Sequence, residues 1–303
     1  MRTRVAIWCA ALAALHPLRL AAQELEPRAY SASPVGANFA ALAYNQSSGS
    51  ILFNPSVPIT DATANVGGVA LGYGRTFAIG RYQAIAGIAL PYAWGNFTGQ
   101  VVGRDSSRTL SGPADIRAKL SVNLIGPRAS SPADFAKTPP YHAVGGVSLT
   151  ISAPSGKYES ERLINISVHR WGFKPEAGLS YNWSQKWFAE AYAGVWLFTE
   201  NTSFYPGASK LKQDPLWSVQ THLVRTLARR TWLALDGTWY RGGATQVNGG
   251  TPSSRQENAR IGGVLALATT RSQSLKAGYS FGSSVRVGQN FGTASLAYQV
   301  LWF

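Results

Sequence analysis

Eight ionisable residues stand in segments whose alternate positions are apolar: Arg117, Lys119, Glu176, Glu190, His222, Asp236, Arg260 and Lys276. Charges so placed do one of two kinds of work. They pair with one another and stiffen a wall, with Glu176 answered by Arg117 and Asp236 by Arg260, or they ring a passage and select solutes by charge. Pairing is the simpler expectation, because interior ionic networks form without being sites.

Catalysis would need more. A nucleophile requires a base within hydrogen-bond reach, which on a strand means His and Ser two residues apart on one face. His142, His169 and His222 are followed by Ala143-Val144, Arg170-Trp171 and Leu223-Val224, so none has that partner. No HExxH or GxSxG run occurs, and Ser155-Gly156-Lys157 lacks the preceding glycine of a phosphate-binding loop. The expectation is a protein that is not an enzyme and takes no cofactor and no metal. Cys9, the one cysteine, lies in the apolar run at the N-terminus, so neither a disulfide framework nor a thiolate site is expected downstream.

That apolar run, Val5 to Leu15, follows Arg2 and Arg4 and precedes Leu20-Ala21-Ala22. It has the form of a secretory signal peptide and is too short to span as a helix. Cleavage is expected after Ala22, which carries Cys9 away. The chain has 28 Lys+Arg and 14 Asp+Glu; Arg2, Arg4 and Arg19 leave with residues 1–22, so the surplus falls from +14 to +11. Export makes nucleic acid an unsuitable partner for that charge, and lipopolysaccharide phosphates or anionic solutes better ones. Arg162, Arg170 and Lys174 are candidates for the phosphate contact, with a solvated loop as the plainer alternative.

The elements that must position these residues are strands. Period-two alternation runs from residue 37 to the end and is clearest in Ile116-Arg117-Ala118-Lys119-Leu120-Ser121-Val122-Asn123-Leu124, apolar on one face and polar on the other. Twelve strands are expected, at 37–46, 63–75, 82–95, 114–125, 141–153, 171–183, 186–199, 215–227, 231–242, 258–268, 273–283 and 291–303. Short links at 78–81, 184–185, 228–230 and 269–272 alternate with longer Gly, Ser, Pro and Asn-rich stretches at 47–62, 96–113, 154–170, 200–214, 243–257 and 284–290. The link at 126–140, with Pro127, Pro132, Pro139 and Pro140, is long where a short one is due.

Short and long links in alternation are the habit of outer-membrane barrels, whose turns are short at the periplasmic end. A soluble sandwich or propeller would show more polar outward faces or a repeat of fixed blade length. Ten Trp with only 14% charged residues suit a surface that meets lipid and its interfaces. The expected fold is all-β: a closed antiparallel transmembrane up-and-down barrel over 37–303, an N-terminal segment 23–36 lying in the periplasm or in the lumen, and a cleaved leader 1–22. Trp183, Trp187, Trp232 and Trp239 are expected in the interfacial girdles, and Phe188, Tyr192, Trp196 and Tyr240 inside, where they restrict the passage. The end, Leu296-Ala297-Tyr298-Gln299-Val300-Leu301-Trp302-Phe303, has the aromatic finish through which barrels engage their insertion machinery, although Trp302 rather than Phe303 is in phase with the apolar face.

The wording of the sequence is also similar to a known family. Glu26-Pro27-Arg28-Ala29-Tyr30-Ser31, Phe53-Asn54-Pro55-Ser56, Ala153-Pro154-Ser155-Gly156-Lys157-Tyr158, Arg170-Trp171-Gly172-Phe173-Lys174-Pro175-Glu176, Gln220-Thr221-His222-Leu223 and Asn258-Ala259-Arg260-Ile261-Gly262 resemble, in order, the outer-membrane family of the MetA pathway of phenol degradation. The resemblance implies a passive barrel that passes small hydrophobic or aromatic solutes across the outer membrane of a Gram-negative cell, and supplies no catalytic or ligand residues. Outer-membrane lipid, lipopolysaccharide, the insertion machinery at Phe303 and the solute are the expected partners. The alternative is a structural or surface-interaction barrel with a closed lumen.

Overall fold

The computed structural model describes residues 26–52, 59–139, 141–228 and 231–303, so the expected leader lies outside the described residues. In chain order the strands are β1 (Asn38–Leu52), β2 (Ile59–Ile79), β3 (Tyr82–Val101), β4 (Arg104–Pro113), β5 (Arg117–Ile125), β6 (Ala143–Ser152), β7 (Gly172–Asn182), β8 (Trp187–Phe198), β9 (Asn201–Phe204), β10 (Ser209–Gln213), β11 (Leu216–Ala228), β12 (Thr231–Gly242), β13 (Thr245–Val247), β14 (Gln256–Ala268), β15 (Gln273–Val285) and β16 (Gly288–Trp302). Twelve of them, all but β4, β9, β10 and β13, form one antiparallel ring. It closes where β1 pairs with β16, from Asn38↔Trp302 to Leu52↔Gly288.

Closure follows from the solvent. Hydrocarbon offers no hydrogen-bond partner to a strand edge, so a sheet that crosses a membrane must have none. The outer face meets the same demand with its side chains. Leu42, Leu71, Leu90, Leu120, Leu149, Leu179, Leu223, Leu235 and Leu296 are all exposed, an arrangement that water would penalise and lipid favours. Aromatic rings flank them in two belts. Tyr73, Tyr181, Trp183 and Trp302 stand near the end that carries the chain terminus, and Tyr92, Trp94, Trp171 and Trp217 toward the other. Trp183 and Trp187 stack at 6.2 Å.

The twelve strands of the ring are those expected, in number and order, but several run longer. Residues 96–113 were expected as a loop and are instead the end of β3 and all of β4, paired from Tyr92↔Pro113 to Val101↔Arg104. Val102 and Gly103 turn this hairpin with φ of 52° and 72°, the left-handed pair a two-residue hairpin requires. Its polar composition reads as loop but equally suits a ribbon that leaves lipid for water. The expected loops at 200–214 and 243–257 contribute β9, β10 and β13, a separate three-stranded sheet. The proline-rich link holds one helical turn, Pro132–Phe135.

Because Leu235 is 60% exposed on the lipid face halfway along β12, Leu235→Arg should lower unfolding free energy by about 2–4 kcal/mol. Urea titration of the refolded protein in phospholipid vesicles reads this, with Leu235→Ala expected to cost less.

Candidate functional site

All eight candidate residues point to the inside of the ring. Glu176, Glu190, His222, Asp236 and Arg260 are buried, and Arg117, Lys119 and Lys276 partly so. Asp236 and Arg260, expected to pair with each other, take other partners. Asp236 is held by His222, its cross-strand neighbour, with Nδ1 and Oδ1 2.6 Å apart and neither side chain exposed. Glu176 takes Lys174 Nζ at 2.6 Å, two residues along its own strand. Arg260 donates from Nη2 to the Phe291 carbonyl at 2.9 Å and to Ser280 at 3.3 Å. The Lys276 ammonium lies 5.8 Å from the centre of the Trp232 ring.

Register sets the partner of Asp236. In the register of β11 and β12 His222 stands opposite Asp236, and strand geometry puts 174 and 176 on one face. Phe188, Tyr192, Trp196 and Tyr240 lie inside, as expected. Trp232 does not join the girdle: it faces the lumen at 6% exposure, in phase with Asp236. Arg170 and Lys174, considered for lipopolysaccharide, are likewise buried inside, while Arg162 is exposed.

The N-terminal segment enters the lumen. Residues 26–36 form a strap that ends where Gly36 donates to the Thr76 carbonyl and Val35 to that of Ser130. At its centre Tyr30, 1% exposed, lies over Gly146 and Gly178, which face each other across β6 and β7. A Cβ at Gly178 would overlap the Tyr30 ring, and one at Gly146 would touch it at 3.0 Å. The phenol hydroxyl meets Ser148 Oγ at 3.0 Å and donates to Glu176 at 3.2 Å. Asn123 donates to the Tyr30 carbonyl at 3.1 Å.

On the facing side, the Arg28 amide donates to Glu190 at 2.6 Å and the Ala29 amide to the Tyr192 hydroxyl at 3.2 Å. Arg28 has φ of 68° and holds its guanidinium 5.4 Å from the Phe188 ring and 5.8 Å from that of Trp232. Glu26 meets Lys119 at 3.0 Å, and that ammonium holds its carboxyl well below the usual carboxylate range. No periodicity marks such a strap, so only the structure reveals it.

The opposite end is filled by the segment between β6 and β7. Asp115 gathers it: its carboxylate accepts from Ser167 Oγ at 2.6 Å and from the amides of Val168 and Gly156 at 3.0 Å each. Asp115 was not singled out in the sequence, though it shares the inward parity of Arg117 and Lys119. The segment sets Ile166 into a buried apolar cluster with Ala64, Val66, Ala93, Phe97, Leu110, Ala114 and Phe291. Inward of it lies a lumen cavity of about 170 Å³. Small residues of β2 and β3, including Ala70, Ala89 and Pro91, form one side, Trp196 and Phe198 the other, with Asp115 and Arg117 at its polar edge.

The sequence profile of the family described as "Putative MetA-pathway of phenol degradation" matches residues 44–300. No curated protein matches the chain. Among solved structures, an outer membrane channel from Pseudomonas putida F1 is similar over 92% of this chain and 100% of its own, with a TM-score of 0.76 and 18% identity. The transport unit of the Escherichia coli autotransporter AIDA-I aligns over 98% of this chain and 97% of its own (TM-score 0.53, 9% identity). The beta domain of a Bordetella autotransporter aligns over 88% of this chain and 100% of its own (0.52, 13%). At these identities the likeness is one of fold.

Two outcomes follow from the contacts. Gly178→Val should expel Tyr30 and raise single-channel conductance in planar bilayers, whereas Gly237→Val, away from the strap, should not. Asp236→Ala strands the buried His222 and should cost about 1–3 kcal/mol in urea unfolding, with the double variant His222→Phe/Asp236→Leu losing less than the two single variants together.

Proposed function

We propose that this chain, which belongs to the family described as "Putative MetA-pathway of phenol degradation", is a passive outer-membrane channel for small hydrophobic or aromatic solutes. One observation carries the reading: the lumen cavity between the small-residue side and Trp196/Phe198. At about 170 Å³ it exceeds the roughly 150 Å³ apolar cavity known to admit benzene. Flat apolar molecules fit it through dispersion contacts with the aromatic side and need few polar partners. Sugars would have to leave their hydration shells against alanine and proline, which is costly. The Pseudomonas putida neighbour, an outer membrane channel, supports the same assignment.

The proposal includes export by the leader at residues 1–22 and integral location in the outer membrane, in contact with lipid and lipopolysaccharide. Phe303, exposed just beyond β16, is the contact for the insertion machinery. The inward charges act mainly as a paired wall, with Arg117 at the cavity edge as the selectivity candidate. No catalytic step is assigned to His222 and Asp236: the pair lies in the wall, with Tyr192 against the imidazole at 5.0 Å, and among the described residues no nucleophile is placed on it.

The strap favours a second reading, a structural barrel with a closed lumen, and flux decides between them. Bare phospholipid passes phenols unaided, so the test uses porin-deficient cells with a lipopolysaccharide outer leaflet. Expression should raise uptake of 4-nitrophenol several-fold and leave xylose uptake near the control. Ala89→Trp, which fills the cavity, should return 4-nitrophenol uptake to the control rate. Equal uptake with and without the protein would leave the structural barrel.

A further inference from the structure

We infer that the extended end of the barrel carries a separate capture site for a small aromatic acid, with the ring held on Phe97 and Leu163 and the carboxylate on Arg108. The site is a cavity of about 310 Å³ between the ends of β1 to β4 and residues 161–164, with Tyr205 at its margin. Ile51, Phe97, Val101, Leu163 and Ile164 give it an apolar floor. It is distinct from the lumen cavity: the buried cluster that includes Val66, Leu110 and Ile166 lies between them, with Ile164 packed on one side and Ala114 lining the other.

Arg108 supplies the chemistry. Its register opposite Phe97 sets both side chains on the inner face of the β3–β4 ribbon. Nη2 reaches Glu159 at 3.4 Å, a long contact, while Nε is buried with no hydrogen-bond partner among the described residues. A buried guanidinium N–H without an acceptor is costly, so the side chain is not locked by its protein contacts; 20% exposed, it lines the cavity, where a ligand carboxylate would take a charge-assisted bond. Local charge favours an anion. Lys157 shares Glu159 at 3.7 Å, and Arg162 and Glu161 line the cavity, so three cations face two carboxylates.

The body of the ligand follows from shape. The cavity is compact, about twice the volume that admits benzene, and Phe97 and Tyr205 offer ring surface. Two fused rings fit such a space better than an extended alkyl chain. The inference deepens the channel reading, on which it rests only for the fate of the captured solute; binding itself requires no flux.

The test uses the full-length protein in lipid nanodiscs at pH 7, where 2-naphthoate is ionised, and follows the probe's intrinsic fluorescence. Saturable binding of 2-naphthoate should be at least about tenfold tighter than that of 2-naphthalenemethanol, its neutral counterpart, and tighter than that of decanoate. Arg108→Met should abolish the preference for the acid while leaving alcohol binding within about twofold. Leu163→Glu, on the loop and outside the barrel wall, should weaken the acid more than the alcohol; heat-modifiable gel migration verifies that both variants are folded. Equal affinity for acid and alcohol in the parent protein, or an unchanged ratio in folded Arg108→Met, would overturn the assignment of the head group. Tighter binding of decanoate would overturn the aromatic body. Because no gradient is present, a failure here leaves the 4-nitrophenol uptake result standing, and an absence of uptake leaves this one.

Discussion

A strand edge in hydrocarbon leaves a row of amides and carbonyls with no partner, each costing several kcal/mol, and the rest of this molecule follows from avoiding that edge. Pairing of β1 with β16 along fifteen registered positions removes it. Once the ring is closed, every strand has one face in lipid and one in the lumen, so the period-two alternation, the exposed leucines and the inward charges are consequences of one constraint. The number of strands then sets the next problem. Eight strands enclose a space their own side chains fill, whereas sixteen leave an open pore. Twelve fall between, and the excess space is filled from outside the wall.

Two pieces of chain do this, one from each end. The segment between β6 and β7 is drawn inward by the Asp115 carboxylate and covers an apolar cluster. The strap enters from the opposite end and lies between the Gly146/Gly178 cradle and Glu190/Tyr192. Between them the lumen is two-sided. Alanines and proline on β2 and β3 face aromatic side chains of β8 across the cavity, while His222, Asp236 and Arg260 give β11, β12 and β14 a buried polar wall.

What was legible in the sequence was what repeats. Alternation gave the strands and the inward parity of all eight charged candidates, because a strand states its faces every two residues. Contacts between strands were less legible. His222–Asp236 was available by counting outward from the expected short link at 228–230, and Lys174–Glu176 from parity alone, yet pairing by opposite charge pointed elsewhere. The strap was illegible in a stronger sense. The position of Tyr30 depends on the absence of side chains at Gly146 and Gly178, more than a hundred residues away, and nothing local to Tyr30 records it. Trp232 shows the same limit from the other side: its parity places it inside, but its residue type suggested the girdle. Residues 96–113 misled because polar, glycine-containing ribbon and loop have similar composition.

The two fillings differ in what holds them, and this decides which can yield. The outer segment is fixed by buried apolar surface, Ile166 against Phe97, Leu110 and Phe291, together with a carboxylate that satisfies three donors at once. Displacing it would expose hydrocarbon and strand a buried charge. The strap contributes one large buried ring, and its other contacts are polar or at the surface of rings: hydrogen bonds to Glu190, Tyr192, Gln83 and Asn123, the Glu26–Lys119 ion pair and the Arg28 guanidinium beside Phe188 and Trp232. Bonds between neutral groups contribute only about 0.5–1.5 kcal/mol each and one to a carboxylate such as Glu190 about 1.5–3 kcal/mol, because water replaces them when they break. Their partners on the wall are polar groups already suited to a hydrated lumen. Physical chemistry therefore assigns the fixed constriction to the end held by Asp115 and the displaceable one to the strap.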